Sequence, residues 1–325
     1  MILTRRHFLG AVTLFAGVAP AAARAAEQFP TRQIHLIIPF TPGGGTDLIG
    51  RLVAAKLGDE YGQQIVVENR SGAGGNIGVG AAVAAAPDGY TLLIGSVSTI
   101  SINPSLYTNL PYNSTRDLAP ISQFASTPAL LVVPADSPAN SVGELIAIAK
   151  ANPGKLNFGS AGNGTSHQLA AELFKFMAGI DIVHVPYRGS SPAVNAMLTG
   201  DIQLMFADIP AVLAMVQAKK FKALGITSPE RFPLMPDIPT IAESGLPGYE
   251  VDVWYGVLAP AATPDPIIQQ LNASIRKVGD LPDVREKLAL LGAQVKTGSS
   301  ADFAALIRRE ADRWAEIVKR AGVHF

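Results

Sequence analysis

An apolar, strand-like run from Ile34 to Ile38 ends in Pro39-Phe40-Thr41-Pro42-Gly43-Gly44-Gly45-Thr46-Asp47, and a segment of helical period follows. Three consecutive glycines between a strand and a helix commit the chain to an α/β corner stripped of side chains. Main-chain N–H groups at such a corner can meet a ligand directly, and the helix N-terminus behind them favours negative charge. The corner suits a small anion, most simply a carboxylate. A side chain at Gly44 is expected to block it.

The same alternation continues along the chain. Strands are expected at 33–38, 65–68, 91–94, 129–133, 182–185, 203–206, 223–227 and 251–258. Helices are expected at 47–57 with Thr46 or Asp47 as N-cap, from Ser141 through Lys150 with Ser141 and Glu144 as a capping box, and at 79–86, 164–177 and 192–198. A C-terminal helix carries Phe303, Leu306, Ile307, Trp314, Ile317 and Val318 on one stripe, which reads as core. The fold class is α/β. Prolines cluster at 103–120 and 229–247 and mark irregular surface crossings, since proline lacks the ladder donor.

A second glycine-rich turn, Phe158-Gly159-Ser160-Ala161-Gly162-Asn163-Gly164-Thr165, also precedes a helix. Two loops of one chemical type suggest that each comes from one domain and both face a shared cleft. A third run, from Ser71 to Gly78, reads as close helix–sheet packing rather than ligand contact. None fits a nucleotide fingerprint, because no G-x-x-x-x-G-K-[ST] occurs and no G-x-G-x-x-G stands at a strand–helix corner with an acid beyond it. No cofactor is expected.

Catalytic and metal signals are equally sparse. No serine sits in G-x-S-x-G, and His35, His167, His184 and His324 lack H-x-H or H-E-x-x-H spacing. His184 reads as structural, whereas His167, just inside the second corner, could line a cleft. Asp208 stands at a strand end before Pro210, and two roles stay open for it: helix cap or ligand-facing acid.

The N-terminus reads as an export leader. Arg5-Arg6 is followed by an apolar run from Phe8 to Val18, too short for the roughly 20 residues of a membrane span, and Ala23-Arg24-Ala25 offers a cleavage site. Removal of residues 1–25 takes the basic count from 26 to 23 against 26 acids, a net charge near −3 with no basic block. Nucleic-acid binding is thereby disfavoured. The chain has no cysteine, which excludes disulfides, thiol catalysis and thiolate metal sites. These features point to a Gram-negative periplasm or to secretion.

Seven stretches, in order, carry a family resemblance: residues 39–47, Val67-Glu68-Asn69-Arg70 with Gly72-Ala73-Gly74-Gly75-Asn76, Pro87-Asp88-Gly89-Tyr90-Thr91-Leu92, Ser160 to Thr165, His184-Val185-Pro186-Tyr187-Arg188-Gly189, Pro239-Thr240-Ile241-Ala242-Glu243, and Trp254 to Pro260. Over nearly the whole mature length the chain resembles the Bug family, the substrate-binding proteins of tripartite tricarboxylate transporters. The resemblance implies a type II-like, two-lobed periplasmic binding protein with crossover strands, lobe one at 27–125 plus 227–325 and lobe two at 126–226. It implies no enzymatic activity, a small organic acid as ligand, membrane permease subunits as partners, and a monomer.

It also implies that the 39–47 and 160–165 loops close on a carboxylate through main-chain N–H groups and ordered water, with Asp208 helping to hold that water. The ligand-binding residues expected are Phe40, Thr41, Gly43, Gly44, Asp47, Ser98, Thr99, Ser160, Ala161, Gly164, Thr165 and Asp208. One departure stands out: related sequences place histidine where Gln168 stands here, so the family role of that histidine does not transfer to His167. No arginine stands out as the partner of a second carboxylate. A ligand-presenting sensor subunit would use the same cleft, and a periplasmic hydrolase or isomerase is the rival from another class.

Overall fold

The computed structural model describes residues 29–321; the leader and His324 lie outside the described residues. Strand and helix alternate through β1 (Ile34–Ile38), α1 (Gly45–Tyr61), β2 (Ile65–Asn69), α2 (Asn76–Val83), β3 (Thr91–Ser96), α3 (Asn103–Leu106), the long β4 (Leu118–Pro134) and α4 (Val142–Ala151). There follow β5 (Asn157–Ser160), α5 (Ser166–Ala178), β6 (Val183–Pro186), α6 (Ser190–Thr199), β7 (Leu204–Asp208), α7 (Ile209–Gln217) and β8 (Phe221–Ile226). The chain ends through β9 (Asp252–Pro260), α8 (Asp265–Asp280), α9 (Pro282–Leu290), β10 (Gln294–Val295) and α10 (Ser300–Ala321).

The strands form a continuous mixed sheet in the order β2-β1-β3-β9-β4-β7-β5-β6, with β8 and β10 also paired to β4. The first half is parallel β2-β1-β3 with β9 antiparallel to β3. The second half is parallel β6-β5-β7, with β7 and β8 both antiparallel to β4. β4 belongs to both: 118–128 pair with β9, and 129–134 with β7 and β8. This is a two-lobed α/β fold whose lobes share a crossing strand.

The crossing is tied at Thr227, which is fully buried. Its main-chain N–H donates to Ala129 O, its hydroxyl oxygen accepts the Ala129 N–H at 2.8 Å, and that hydroxyl donates to Val251 O at 2.6 Å. Three segments that pass between the half-sheets thus meet at one side chain.

A large core runs under both halves and includes Ile38, Leu93, Phe124, Phe206 and Trp254, while Leu130, Met205, Ile209 and Phe232 form a smaller one. The α10 stripe belongs to the core: Phe303, Ile307, Trp314 and Val318 are buried, and Leu306 and Ile317 pack beside them. Gly256 leaves the space in which the Phe303 ring lies against β9, edge-on to Trp254.

Several elements differ from the sequence expectation. β4 is 17 residues long, not five, because Pro120 is accommodated beside a register shift and Pro128 pairs with the first residue of β9. The region 103–120 is therefore not wholly irregular: it holds α3 and the start of β4. β5 and β10 are too short to show a period. α1 begins at Gly45, earlier than expected, with Gly44 in the cap position and no side-chain cap. Asp47 instead reaches back from the first turn and accepts the Gly43 N–H at 2.9 Å.

Candidate functional site

Both glycine corners, the C-terminal end of β7 and the start of β9 converge on one small cavity. Its volume is about 30 Å³, room for a water or two. The first corner contributes Phe40, Thr41, Gly44, Gly45 and Thr46; the end of β3 and the π-helical turn after it contribute Ser96 and Ser98. From the second half come Ala161, Thr165, Ser166 and His167, then Gly189 and Ser190 at the start of α6, and Asp208. Val253 and Tyr255 of β9 close the wall.

Three helices, α1, α5 and α6, aim their N-termini at this space. First-turn N–H groups have no carbonyl inside their own helix. Those of Gly45 and Thr46 in α1, His167 in α5 and Ser190 in α6 donate to no other group among the described residues. Side chains here are similarly unsatisfied: Ser96 Oγ, both ring nitrogens of His167, Asp208 Oδ1 and Tyr255 OH are buried without an aligned hydrogen bond. His167 Nε2 lies 3.0 Å from Asp208 Oδ1 but off the bonding direction. Burial, then the neighbouring Asp208 carboxylate, push the Tyr255 phenol well above its usual pKa, so it remains a donor. Buried polar atoms are ordinarily paired, so this concentration marks a place built for a polar guest.

A larger cavity of about 640 Å³ shares Phe40, Thr41, Ala161 and Gly189 with the small one. Its other walls are 71–75, Ile77, Tyr107, Gly162, Asn163 and 186–188. The two adjoin through these shared residues, the larger forming a vestibule to the smaller.

The sequence profile of the family described as "Tripartite tricarboxylate transporter family receptor" matches residues 49–323. The chain belongs to that receptor family. It is 37% identical over 324 residues to the protein BugT of Bordetella pertussis, covering 99% of both chains. Its fold superposes on Rpa4515 of R. palustris, solved with adipate, with a TM-score of 0.89 at 37% identity over 91% of this chain and 99% of that one. MatC of Rhodopseudomonas palustris, with bound malate, gives a TM-score of 0.85 at 34% identity over 89% and 100%. The receptor is therefore a solute-binding protein of the Bug type rather than an enzyme.

Of the residues expected at the receptor's site, Phe40, Thr41, Gly44, Ser98, Ala161, Thr165 and Asp208 line the small cavity. The other five lie behind it and hold the corners. Asp47 accepts the Gly43 N–H, both carboxylate oxygens face Arg51 Nε at 3.0 Å, and Oδ1 accepts Asn69 Nδ2 at 2.8 Å. Burial raises its pKa, but the bonds from Arg51, Asn69 and Gly43 outweigh that and hold it below the usual aspartate value. Thr99 bonds back to Ser96, and the Gly164 N–H is taken by Gln168 Oε1 at 2.8 Å. Ser160 Oγ exchanges bonds with Gly162 and stands 2.6 Å from His184 Nε2. Burial, with a further push from Lys175, lowers His184 to about 4, so the ring is neutral where it stacks on Phe158.

Asp208 precedes α7 yet makes no side-chain cap bond; its carboxylate faces the cavity. Gly44 has ordinary room for a Cβ, whereas a Cβ on Gly45 would lie 2.7 Å from Asp208 Oδ2 and 2.8 Å from Tyr255 OH. Gly45 is thus the glycine whose missing Cβ admits Asp208 and Tyr255, while Gly44 lines the cavity itself. The third glycine run packs α2 closely at Gly78, as expected, and its residues 72–75 also line the vestibule. His167, read from the sequence as a residue that could line a cleft, does line the small cavity, and Gly45, Thr46, Ser96, Ser166, Ser190, Val253 and Tyr255 join it from outside the expected set. For His167 a usable signal existed, its place in the first turn of a helix after a glycine corner; for Tyr255, a β9 residue brought in by sheet order, there was none.

Among the described residues no group of three or more His, Asp or Glu could hold a metal ion, and no helix is long and apolar enough to cross a membrane.

Proposed function

We propose that the receptor captures a small organic carboxylate, its head in the small cavity and its remainder in the vestibule, and hands it to the permease subunits of a tripartite tricarboxylate transporter. The observation that carries this reading is the convergence of three helix N-termini, with undonated N–H groups, on one buried cavity the size of a carboxylate head. A bare Asp208 would repel a carboxylate, so bridging water or a donor such as His167 or Tyr255 must stand between the two. That two similar proteins were solved with adipate and malate supports the acid class.

Lobe one is assigned to 27–125 plus 227–325 and lobe two to 126–226, with closure about the segments tied at Thr227. Phe40, Thr41, Gly44, Ser98, Ala161, Thr165 and Asp208 form the ligand wall, while Gly43, Asp47, Thr99, Ser160 and Gly164 fix the geometry of the loops that supply it. The working protein is a periplasmic monomer released from its leader near Ala25. Micromolar affinity needs about 8 kcal/mol. A charge-assisted hydrogen bond contributes about 1.5–3 kcal/mol, so several amide donors with modest apolar burial suffice.

A thermal-shift screen against mono-, di- and tricarboxylates tests the reading. An acid at about 100 times its Kd adds about 2.7 kcal/mol and moves the melting point upward. A flat response to every acid in the screen would overturn it.

A further inference from the structure

The small cavity holds a head group and no more, and the shared wall of Phe40, Thr41, Ala161 and Gly189 leads the remainder of a bound acid into the vestibule. The vestibule is lined by glycines, apolar side chains, small polar groups, two tyrosines and Arg188. Arg188 is the one formally charged residue among the described residues that line it, and no carboxylate accompanies it there. Its side chain is exposed, and no ion pair or side-chain hydrogen bond engages it among the described residues.

The backbone that carries Arg188 is held in place. Thr41 Oγ1 of the first corner donates to Arg188 O at 3.2 Å, and Gly189 beside it packs so closely on Thr41 that a Cβ there would collide. The guanidinium is therefore anchored at its root next to the door between the two cavities while its head is uncommitted.

We infer that Arg188 receives a second anionic group at the far end of the ligand, so that the receptor prefers a dicarboxylate to a monocarboxylate of matched length. This rests on the carboxylate reading of the small cavity and adds the chemistry of the other end. A planar guanidinium takes a carboxylate through two parallel N–H bonds. The pair forms at an exposed guanidinium, so its two-bond geometry rather than burial carries the preference. A monocarboxylate gains nothing from Arg188, because its tail offers no acceptor there. The head site recognises an acid; Arg188 recognises that it has two.

Calorimetric titration of straight-chain dicarboxylates and their monocarboxylate counterparts, in a series of increasing length, tests this on the wild-type protein and on Arg188→Gln and Arg188→Lys. The wild type is expected to favour the dicarboxylate by about tenfold or more at the best length. Arg188→Gln should remove most of that preference and weaken monocarboxylates far less, with an unchanged melting point for the empty protein. Arg188→Lys should restore part of the preference, since it keeps the charge and loses the fork. A dicarboxylate preference that survives Arg188→Gln overturns the inference, as does an equal loss for both series. Wild-type binding of monocarboxylates as tightly as dicarboxylates overturns it while leaving the head-group reading standing. Binding of neither series overturns both.

Discussion

At the scale of single residues, the site depends on where side chains are missing. Gly45 brings its Cα against Asp208 and Tyr255 of other elements, whereas Gly44 faces open space out to Ser190 Oγ at 3.8 Å. Gly45→Ala should therefore cost at least about tenfold in ligand affinity, and Gly44→Ala should cost much less. Gly44→Ala should keep the melting point of the empty protein near wild type, whereas Gly45→Ala should lower it as Asp208 and Tyr255 are displaced, which calorimetry and thermal denaturation together would check. His184 gives a prediction in pH. Between its ordinary value near 6.5 and its folded value of about 4, the unfolded chain binds a proton that the folded chain refuses. Stability must fall as pH falls through that window. The ring is only partly buried, so about 1 kcal/mol of this difference should appear between pH 7 and pH 5 after allowance for solvent screening. Urea titrations of wild type and His184→Asn at the two pH values should show that loss in the wild type alone. Glycine corners were legible in the sequence because composition betrays a backbone site; the choice of Gly45 over Gly44 was not, since it is decided by Asp208 and Tyr255, which are distant in the chain.

At the scale of elements, the capping box at Ser141 is present with a shift: Ser141 Oγ accepts the Glu144 N–H at 3.1 Å, while Glu144 returns to the Asn140 N–H at 2.7 Å. Amphipathic α10 and the apolar β1 were readable because each has one buried face or a wholly buried run. β4 was not, since its prolines and its membership of both half-sheets break any simple period. Its partner at the crossing, Thr227, supports a direct test. Thr227→Val keeps the shape but leaves the buried Ala129 N–H and Val251 O without the hydroxyl, which should cost about 1–3 kcal/mol. Urea unfolding should show a lower midpoint with an unchanged m-value; an unchanged midpoint would mean that the tie is dispensable.

At the scale of the whole molecule, bonds cross the cavity from one half to the other. Ser98 Oγ accepts the Ser166 N–H at 2.8 Å, Thr41 donates to Arg188 O, and Tyr107 OH donates to Asn163 O at 3.0 Å. They join the two halves across the walls of the small cavity and its vestibule. Tyr107→Phe removes one such bond at the vestibule, outside the head site. Stopped-flow measurement should find ligand release faster by about three- to tenfold, with association little changed. Equal release rates would show that this bond does not hold the halves together. Sequence order predicted two corners facing one cleft, but not the vestibule, which is assembled from loops with no common motif.

The position of β9 has a consequence for how the chain comes to be folded. It lies between β3 and β4, joining parallel β2-β1-β3 to the crossing strand. β1, β2 and β3 can pair among themselves as soon as they leave the ribosome, but the edge of β3 that β9 covers stays bare until residues 252–260 have been made. The second half, β5 to β8 with the end of β4, has all of its own strands by then and can close first. Order of synthesis and order of completion are thus opposed: the half begun earliest is finished last. Fragments cut short of residue 252 should expose two unpaired strand edges and aggregate.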